Sequence, residues 1–96
     1  MTQEKKIRKH VDRCIDQYAD QCGSNFITHS KWDRDHIIDI GTSILCTKWG
    51  VGPSGGGFVQ AVVDNNLSEA FSRADEVNQD SIKFYLMLLY NTSYIE

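Results

Sequence analysis

The chain has 96 residues, a length that fits one domain in which about two-thirds of the unfolded surface can be buried. Its composition, 41% hydrophobic and 24% charged, is that of a globular protein and excludes an intrinsically disordered chain. The net charge of −3 argues against a dedicated duplex-DNA-binding protein, which would present a strongly basic face.

The cysteines and the hydropathy pattern indicate the cellular compartment. Three cysteines without a C-x-x-C pair do not suit a disulfide framework, so reduced thiols are expected. No apolar run approaches the roughly 18 residues of a membrane span, and the polar N-terminus lacks the apolar core of a signal peptide. We expect a cytoplasmic protein with no membrane contact and one helical domain spanning residues 1–96, in which residues 1–6 can remain disordered.

The first predicted element is an amphipathic helix from about Thr2 to Gln21. Its apolar residues recur at i, i+4, i+7, i+8 and i+11, the stripe of one helical face. Gly23 offers a C-terminal stop, and residues 24–30 read as a connector. The start of this helix is basic. Contact with nucleic acid through residues 1–13 is therefore a weaker alternative function. The basic side chains are Lys5, Lys6, Arg8, Lys9 and Arg13.

A second helix is predicted from near Ser30 to Trp49, with acidic residues in its first turns, where the helix dipole favours them. Many residues between 37 and 47 are β-branched, so a strand over residues 38–46 is the alternative. Gly41 costs up to about 1 kcal/mol in a helix interior. We therefore expect it to permit the close approach of another helix.

The run from Trp49 to Phe58 holds five of the seven glycines and the only proline. It matches neither the P-loop motif nor a strand-flanked G-x-G-x-x-G, so a stiff helix connector is the first interpretation. The alternative is an anion cradle, in which backbone amides and a hydroxyl bind a phosphate, Lys48 supplies charge and two aromatic rings stack on a base. The candidate ligand-binding residues are Lys48, Trp49, Ser54, Gly55, Gly56, Gly57 and Phe58.

Three further helices are predicted after this loop. A short helix over residues 57–63 precedes an Asp-Asn-Asn turn, and the next helix carries Leu67, Ala70, Phe71 and Ala74 as its apolar stripe. The last helix, from Asp75 or Val77 to Tyr90, is apolar almost all round, which is typical of a central helix or of a homo-oligomer contact. The predicted fold is all-α, a compact bundle of four to five helices with a glycine-rich loop between helices 2 and 3.

Two constellations invite chemical interpretations. Asp35, His36 and Asp39 could serve acid–base catalysis, but no nucleophile motif accompanies them, so we expect no enzyme and no catalytic residue. The histidines and cysteines offer zinc ligands, yet only His10 and Cys14 are suitably spaced. We therefore expect no metal site and no cofactor.

The run from Gly52 to Phe58, Gly-Pro-Ser-Gly-Gly-Gly-Phe, is followed in order by Ala-Val, Asn-Leu, Arg-Ala-Asp and Tyr-Asn. This order resembles a set of small phage-encoded proteins that carry Pro-Gly-Gly-Phe, Ala-Val, Asn-Asp-Leu, Arg-Ala-Asp and Tyr-Asn. The resemblance covers about residues 49–91 and departs from the pattern at Ser54, which is inserted, and at Asn66, where Asp is usual. It implies a phage or prophage accessory protein but supplies no activity and no functional residue.

These observations favour a protein that works by binding. The first hypothesis is a phage-type accessory protein in the host cytoplasm that binds and modulates a host protein, in particular a component of a defence system. The alternative is a small-ligand binder that sequesters a nucleotide second messenger at the glycine-rich loop. The apolar last helix would also support a homo-oligomer.

Overall fold

The computed structural model describes residues 2–96, which form six helices and no strand. The all-α prediction is therefore confirmed, and residues 38–46 are helical rather than extended. No helix in this part of the chain combines the length and the apolar composition needed to cross a membrane. The helices are α1 (Gln3–Cys22), α2 (Ser24–Trp32), α3 (Arg34–Trp49), α4 (Gly57–Val63), α5 (Leu67–Arg73) and α6 (Glu76–Asn91).

The predicted count of four to five helices was too low, because the expected connector over residues 24–30 lies within α2. Gly23 does end α1, with a φ of +96° that L side chains rarely adopt. The chain then re-enters a helix at once and buries Phe26, which stacks on Phe84 with ring centroids 4.9 Å apart. The glycine-rich loop consequently joins the third and fourth helices rather than the second and third.

Side-chain caps define the starts of three helices. The Thr2 hydroxyl accepts a hydrogen bond from the amide of Lys5 at 3.3 Å, so that α1 begins at Gln3. The Asn66 side chain caps α5, and Asp75 caps α6 by accepting from the amide of Asn78 at 2.8 Å. Each cap satisfies an amide that has no partner within its own helix.

The last helix is central to the core, as one of its two predicted interpretations requires. α6 packs against α1, α2, α3 and α4, and its Phe84 and Tyr85 are fully buried. Gly41 of α3 faces both α1 and α6: a Cβ built there would approach a methyl of Val11 to 2.8 Å and one of Leu88 to 3.0 Å. The prediction that Gly41 permits a close helix approach is thus confirmed.

Candidate functional site

The loop between α3 and α4 is bound to the body of the protein at both ends. Gly50 adopts the left-handed conformation (φ 68°, ψ 30°) and ends α3, while its amide donates to the carbonyls of Cys46 and Thr47. The Gly55 amide donates to the Thr47 hydroxyl at 2.9 Å, and the Gly55 carbonyl accepts from the Gln60 side chain at 2.7 Å. These contacts support a connector, since the polar groups of Gly55 are used within the fold.

The cation and the two aromatic rings of the predicted ligand site each contact a different residue of α6 or of the C-terminal segment after it. Lys48 Nζ donates to the carbonyl of Leu89 at 2.8 Å, near the C-terminal end of α6. Trp49 packs edge-on against Tyr94 with ring centroids 5.3 Å apart. Phe58 is 8% exposed and contacts the ring of Tyr85 in the core.

The remaining predicted residues lie within the loop and at the start of α4. Ser54, Gly56 and Gly57 are exposed, and a Cβ on Gly57 would meet the Arg73 side chain at 3.0 Å. Arg73 itself forms an ion pair with Glu69 one turn earlier in α5. The structure therefore keeps Ser54 and the three consecutive glycines together, but it does not bring Lys48, Trp49 and Phe58 to them.

A cleft of about 290 Å³ lies beside the loop, between its first residues and helices α1 and α3. An ion pair between Arg8 and Asp39 lies among its lining residues. Thr42, only 4% exposed, also lines it, and the Thr42 hydroxyl has no hydrogen-bond partner within residues 2–96. Burial raises the pKa of the Cys46 thiol in this wall, which keeps it protonated and unreactive.

The residues that suggested acid–base chemistry have separate partners. Asp39 pairs with Arg8 of α1, whereas His36 Nε2 lies 3.2 Å from an oxygen of Asp75, the residue that caps α6. Asp35 is exposed in the first turn of α3. Their positions account for Asp39 as half of an ion pair with Arg8 and for Asp35 as a helix-terminal acid, whereas His36 lies near Asp75 without a hydrogen bond to it.

The clearest exposed apolar surface lies on α5 and the end of α6. Leu67 and Phe71, one turn apart on α5, are 38% and 48% exposed, and Tyr90 at the end of α6 is 69% exposed. The Tyr90 hydroxyl donates to the Asn65 side chain at 3.2 Å, and Gln79 donates to the carbonyl of Phe71 at 3.4 Å. These two hydrogen bonds connect each end of α5 to α6. We call Leu67, Phe71 and Tyr90 the α5–α6 surface.

Sequence periodicity alone missed this surface, because it assigned Leu67 and Phe71 to the buried stripe of their helix. Only Ala70 of that stripe is fully buried, and Ala74 is half-buried. The signal that could have found it is the apolar character of the last helix all round, which leaves some apolar residues without a place in the core.

Comparisons with known proteins identify no relative of this chain. The chain matches no protein-family model and no curated protein, and no solved structure matches it. Its candidate functions therefore follow from its own residues.

Proposed function

We propose that this chain is a non-enzymatic accessory protein of the phage type, which binds a host protein through the α5–α6 surface and modulates it. The observation that carries the proposal is the exposure of Leu67, Phe71 and Tyr90, at 38%, 48% and 69%, with the Tyr90 hydroxyl bound to Asn65 just before α5. Apolar area buried on a partner contributes roughly 25 cal/mol per Å², and aromatic side chains are the usual energetic centres of protein interfaces.

The packing of α6 favours a different protein over a second copy of this chain as the partner. α6 was the helix expected to support a homo-oligomer, yet it contacts four other helices of the same chain and buries Phe84 and Tyr85 there. The core is therefore closed without a partner subunit. Three of the exposed apolar side chains, Leu67, Phe71 and Tyr90, belong to α5 and to the last turn of α6, while Trp32 of α2 and Tyr94 are exposed elsewhere.

Matched variants test the surface. The double variant L67A/F71A removes apolar area from exposed positions, and W32A does the same on α2, where Trp32 is 83% exposed. We expect wild type and W32A to retain the same host protein from a lysate, and L67A/F71A to lose it. The retained protein, once identified and purified, should bind wild type at least about tenfold more tightly than L67A/F71A, a difference of about 1.4 kcal/mol.

Two outcomes would contradict this proposal. Equal binding by L67A/F71A and W32A would show that α5 takes no part in the interaction. A wild-type dimer in sedimentation that L67A/F71A converts to a monomer would make the surface a self-interface. Circular dichroism and thermal unfolding of each variant serve as the controls for folding.

A second candidate function, binding of a small nucleotide messenger at the loop, is favoured by the cleft beside Val51, Gly52 and Pro53. Its volume of about 290 Å³ is near the lower limit of small-molecule sites, and Arg8 would have to exchange its ion pair with Asp39 for a phosphate. We expect one nucleotide of a linear and cyclic panel to raise the unfolding temperature of wild type and of R13A, but not of R8A. A panel without any shift would exclude this function.

A further inference from the structure

A histidine held between carboxylates lies outside the surfaces described above. His29 of α2 places Nε2 2.8 Å from an oxygen of Asp80 on α6, and Nδ1 3.2 Å from an oxygen of Asp33. Glu76 precedes Asp80 by one helical turn, so their side chains share a face of α6. The potential ligand atoms of His29, Glu76 and Asp80 all lie within 4.8 Å of one another.

Asp33 is oriented toward the histidine instead of toward its own helix. It occupies the N-cap position of α3, yet its side chain makes no capping hydrogen bond. An N-cap aspartate that accepts from a backbone amide typically contributes about 1 kcal/mol, so this helix start forgoes a stabilising contact. A carboxylate that accepts the Nδ1 proton fixes the ring and leaves Nε2 free to face a metal ion, an arrangement that recurs behind metal-binding histidines.

The charge of the cluster favours a cation. Three carboxylates, those of Asp33, Glu76 and Asp80, surround one imidazole, so a net charge of about −2 remains even when the ring is protonated. The dipole of α6 favours an acid in its first turn such as Glu76. The dipole of α3 likewise favours an acid at its N-cap, Asp33, but the Asp33 side chain contacts His29 and makes no capping hydrogen bond.

We propose that His29, Glu76 and Asp80 form a binding site for a divalent transition metal, with Zn²⁺ as the best-fitting ion, and that Asp33 positions the His29 ring. Imidazole nitrogen with carboxylate oxygen suits zinc, whereas an all-oxygen set would suit Mg²⁺ or Ca²⁺. Two carboxylate ligands neutralise the ion, and three protein ligands leave a fourth position for water or for a side chain of a partner.

Binding of an ion would require movements of these three side chains. Ligand atoms about 2.0–2.2 Å from a tetrahedral zinc lie roughly 3.3–3.6 Å apart. His29 and Asp80 must therefore separate slightly from 2.8 Å, while the exposed Glu76 side chain closes in. The His29 and Asp80 side chains are 18% and 29% exposed, so an ion can reach them from solvent.

Isothermal titration calorimetry tests this site: the protein is first treated with a chelator and is then titrated with ZnCl₂. We expect one ion per chain, an increase in the unfolding temperature, and binding at least about tenfold weaker in D80N and in E76Q. D33N should weaken binding by about 10–100-fold through loss of ring orientation. D35N is the matched control, because it removes an exposed acid of the same helix end, and it should bind zinc as wild type does.

Cobalt(II) in place of zinc distinguishes this site from the cysteines. The proposed nitrogen and oxygen ligands predict a visible spectrum without the intense sulfur-to-metal bands of thiolate ligation. Thiolate bands, unchanged affinity in both D80N and E76Q, or the absence of any heat or thermal shift would each overturn the proposal.

Discussion

Lys48 of α3 donates a hydrogen bond to the carbonyl oxygen of Leu89 at 2.8 Å, across 41 residues of sequence. The last turn of α6 contains no basic residue of its own, so α3 supplies the positive charge that the C-terminal end of α6 lacks. Lys48 thereby joins two core helices and stabilises a carbonyl near the end of α6.

We therefore expect K48M to lower the free energy of unfolding by about 1 kcal/mol, because one charge-assisted hydrogen bond to a helix end is lost. Urea denaturation measures this, with K9M of an exposed α1 lysine as the control that should change little. Unchanged stability of K48M together with loss of a nucleotide-induced shift would instead support the phosphate role suggested by the sequence.

Neighbouring glycines of the loop should respond oppositely to alanine. A Cβ on Gly55 would lie 2.6 Å from the Ser43 hydroxyl and 2.8 Å from the Cβ of Val59, whereas one on Gly56 meets nothing within 4 Å. Gly56 also has a φ of −72°, which alanine adopts without strain. We expect G55A to destabilise the protein by about 1–3 kcal/mol, and G56A to be neutral or to stabilise it by up to about 1 kcal/mol.

Thermal and urea unfolding of the two glycine variants check this pair. Equal stability of G55A and G56A would contradict the close packing of Gly55 on α3 and α4. A loss of stability in G56A alone would show that the exposed side of the loop carries a structural contact.

At Gly41, where α3 packs closely on α1 and α6, we expect the usual preference for alanine over glycine in a helix interior to be reversed. Alanine for glycine in a helix interior ordinarily stabilises by about 1 kcal/mol, but here its methyl would meet Val11 and Leu88 at 2.8 and 3.0 Å. We expect G41A to be destabilised by about 1–2 kcal/mol overall. In the double variant G41A/V11A, space vacated by Val11 should make the combined loss smaller than the sum of the two single losses; strict additivity would argue against the contact.

His10 gives a pH prediction. Burial, reinforced by Arg13, lowers the pKa of His10 from its ordinary 6.5, and its Nε2 lies 3.0 Å from the Thr92 hydroxyl. The folded state then binds a proton at His10 less readily than the unfolded state does. The contribution of His10 to the stability of the fold is therefore present above its pKa in the unfolded state and is lost as the pH falls through its pKa in the folded state. We expect H10Q to lose less stability than wild type between about pH 8 and about pH 5.

The pH dependence of wild type alone does not report on His10, because His29 changes stability with pH in the opposite direction. Hydrogen bonds to Asp80, and then to Asp33, raise the pKa of His29, so its contribution is present below the unfolded pKa and is lost as the pH rises through the folded value. The difference between the urea midpoints of wild type and H10Q across this pH range, with chelator present, gives the contribution of His10 to stability. If the stabilities of the two proteins changed with pH in parallel, a lowered pKa of His10 in the folded state would be contradicted.

The sequence by itself determined the all-α class, the long first and last helices, and the close approach at Gly41. These features depend on residues within about four positions of one another, or on a glycine whose missing Cβ is visible in the sequence. Even so, local pattern misread α2 as a connector, because burial of Phe26 against Phe84 on a distant helix outweighs the weak pattern around it.

Tertiary structure alone decided which side chains meet. The direction of Lys48 toward Leu89, the exposure of Phe71 and the approach of His29 to Asp80, 51 residues away, depend on how the helices pack. Helical periodicity states which residues share a face, but the partner of that face is set by the burial of apolar area over the whole chain. For this reason the candidate metal ligands His29, Glu76 and Asp80, which come from two helices, could not be found from histidine and cysteine spacing in the sequence.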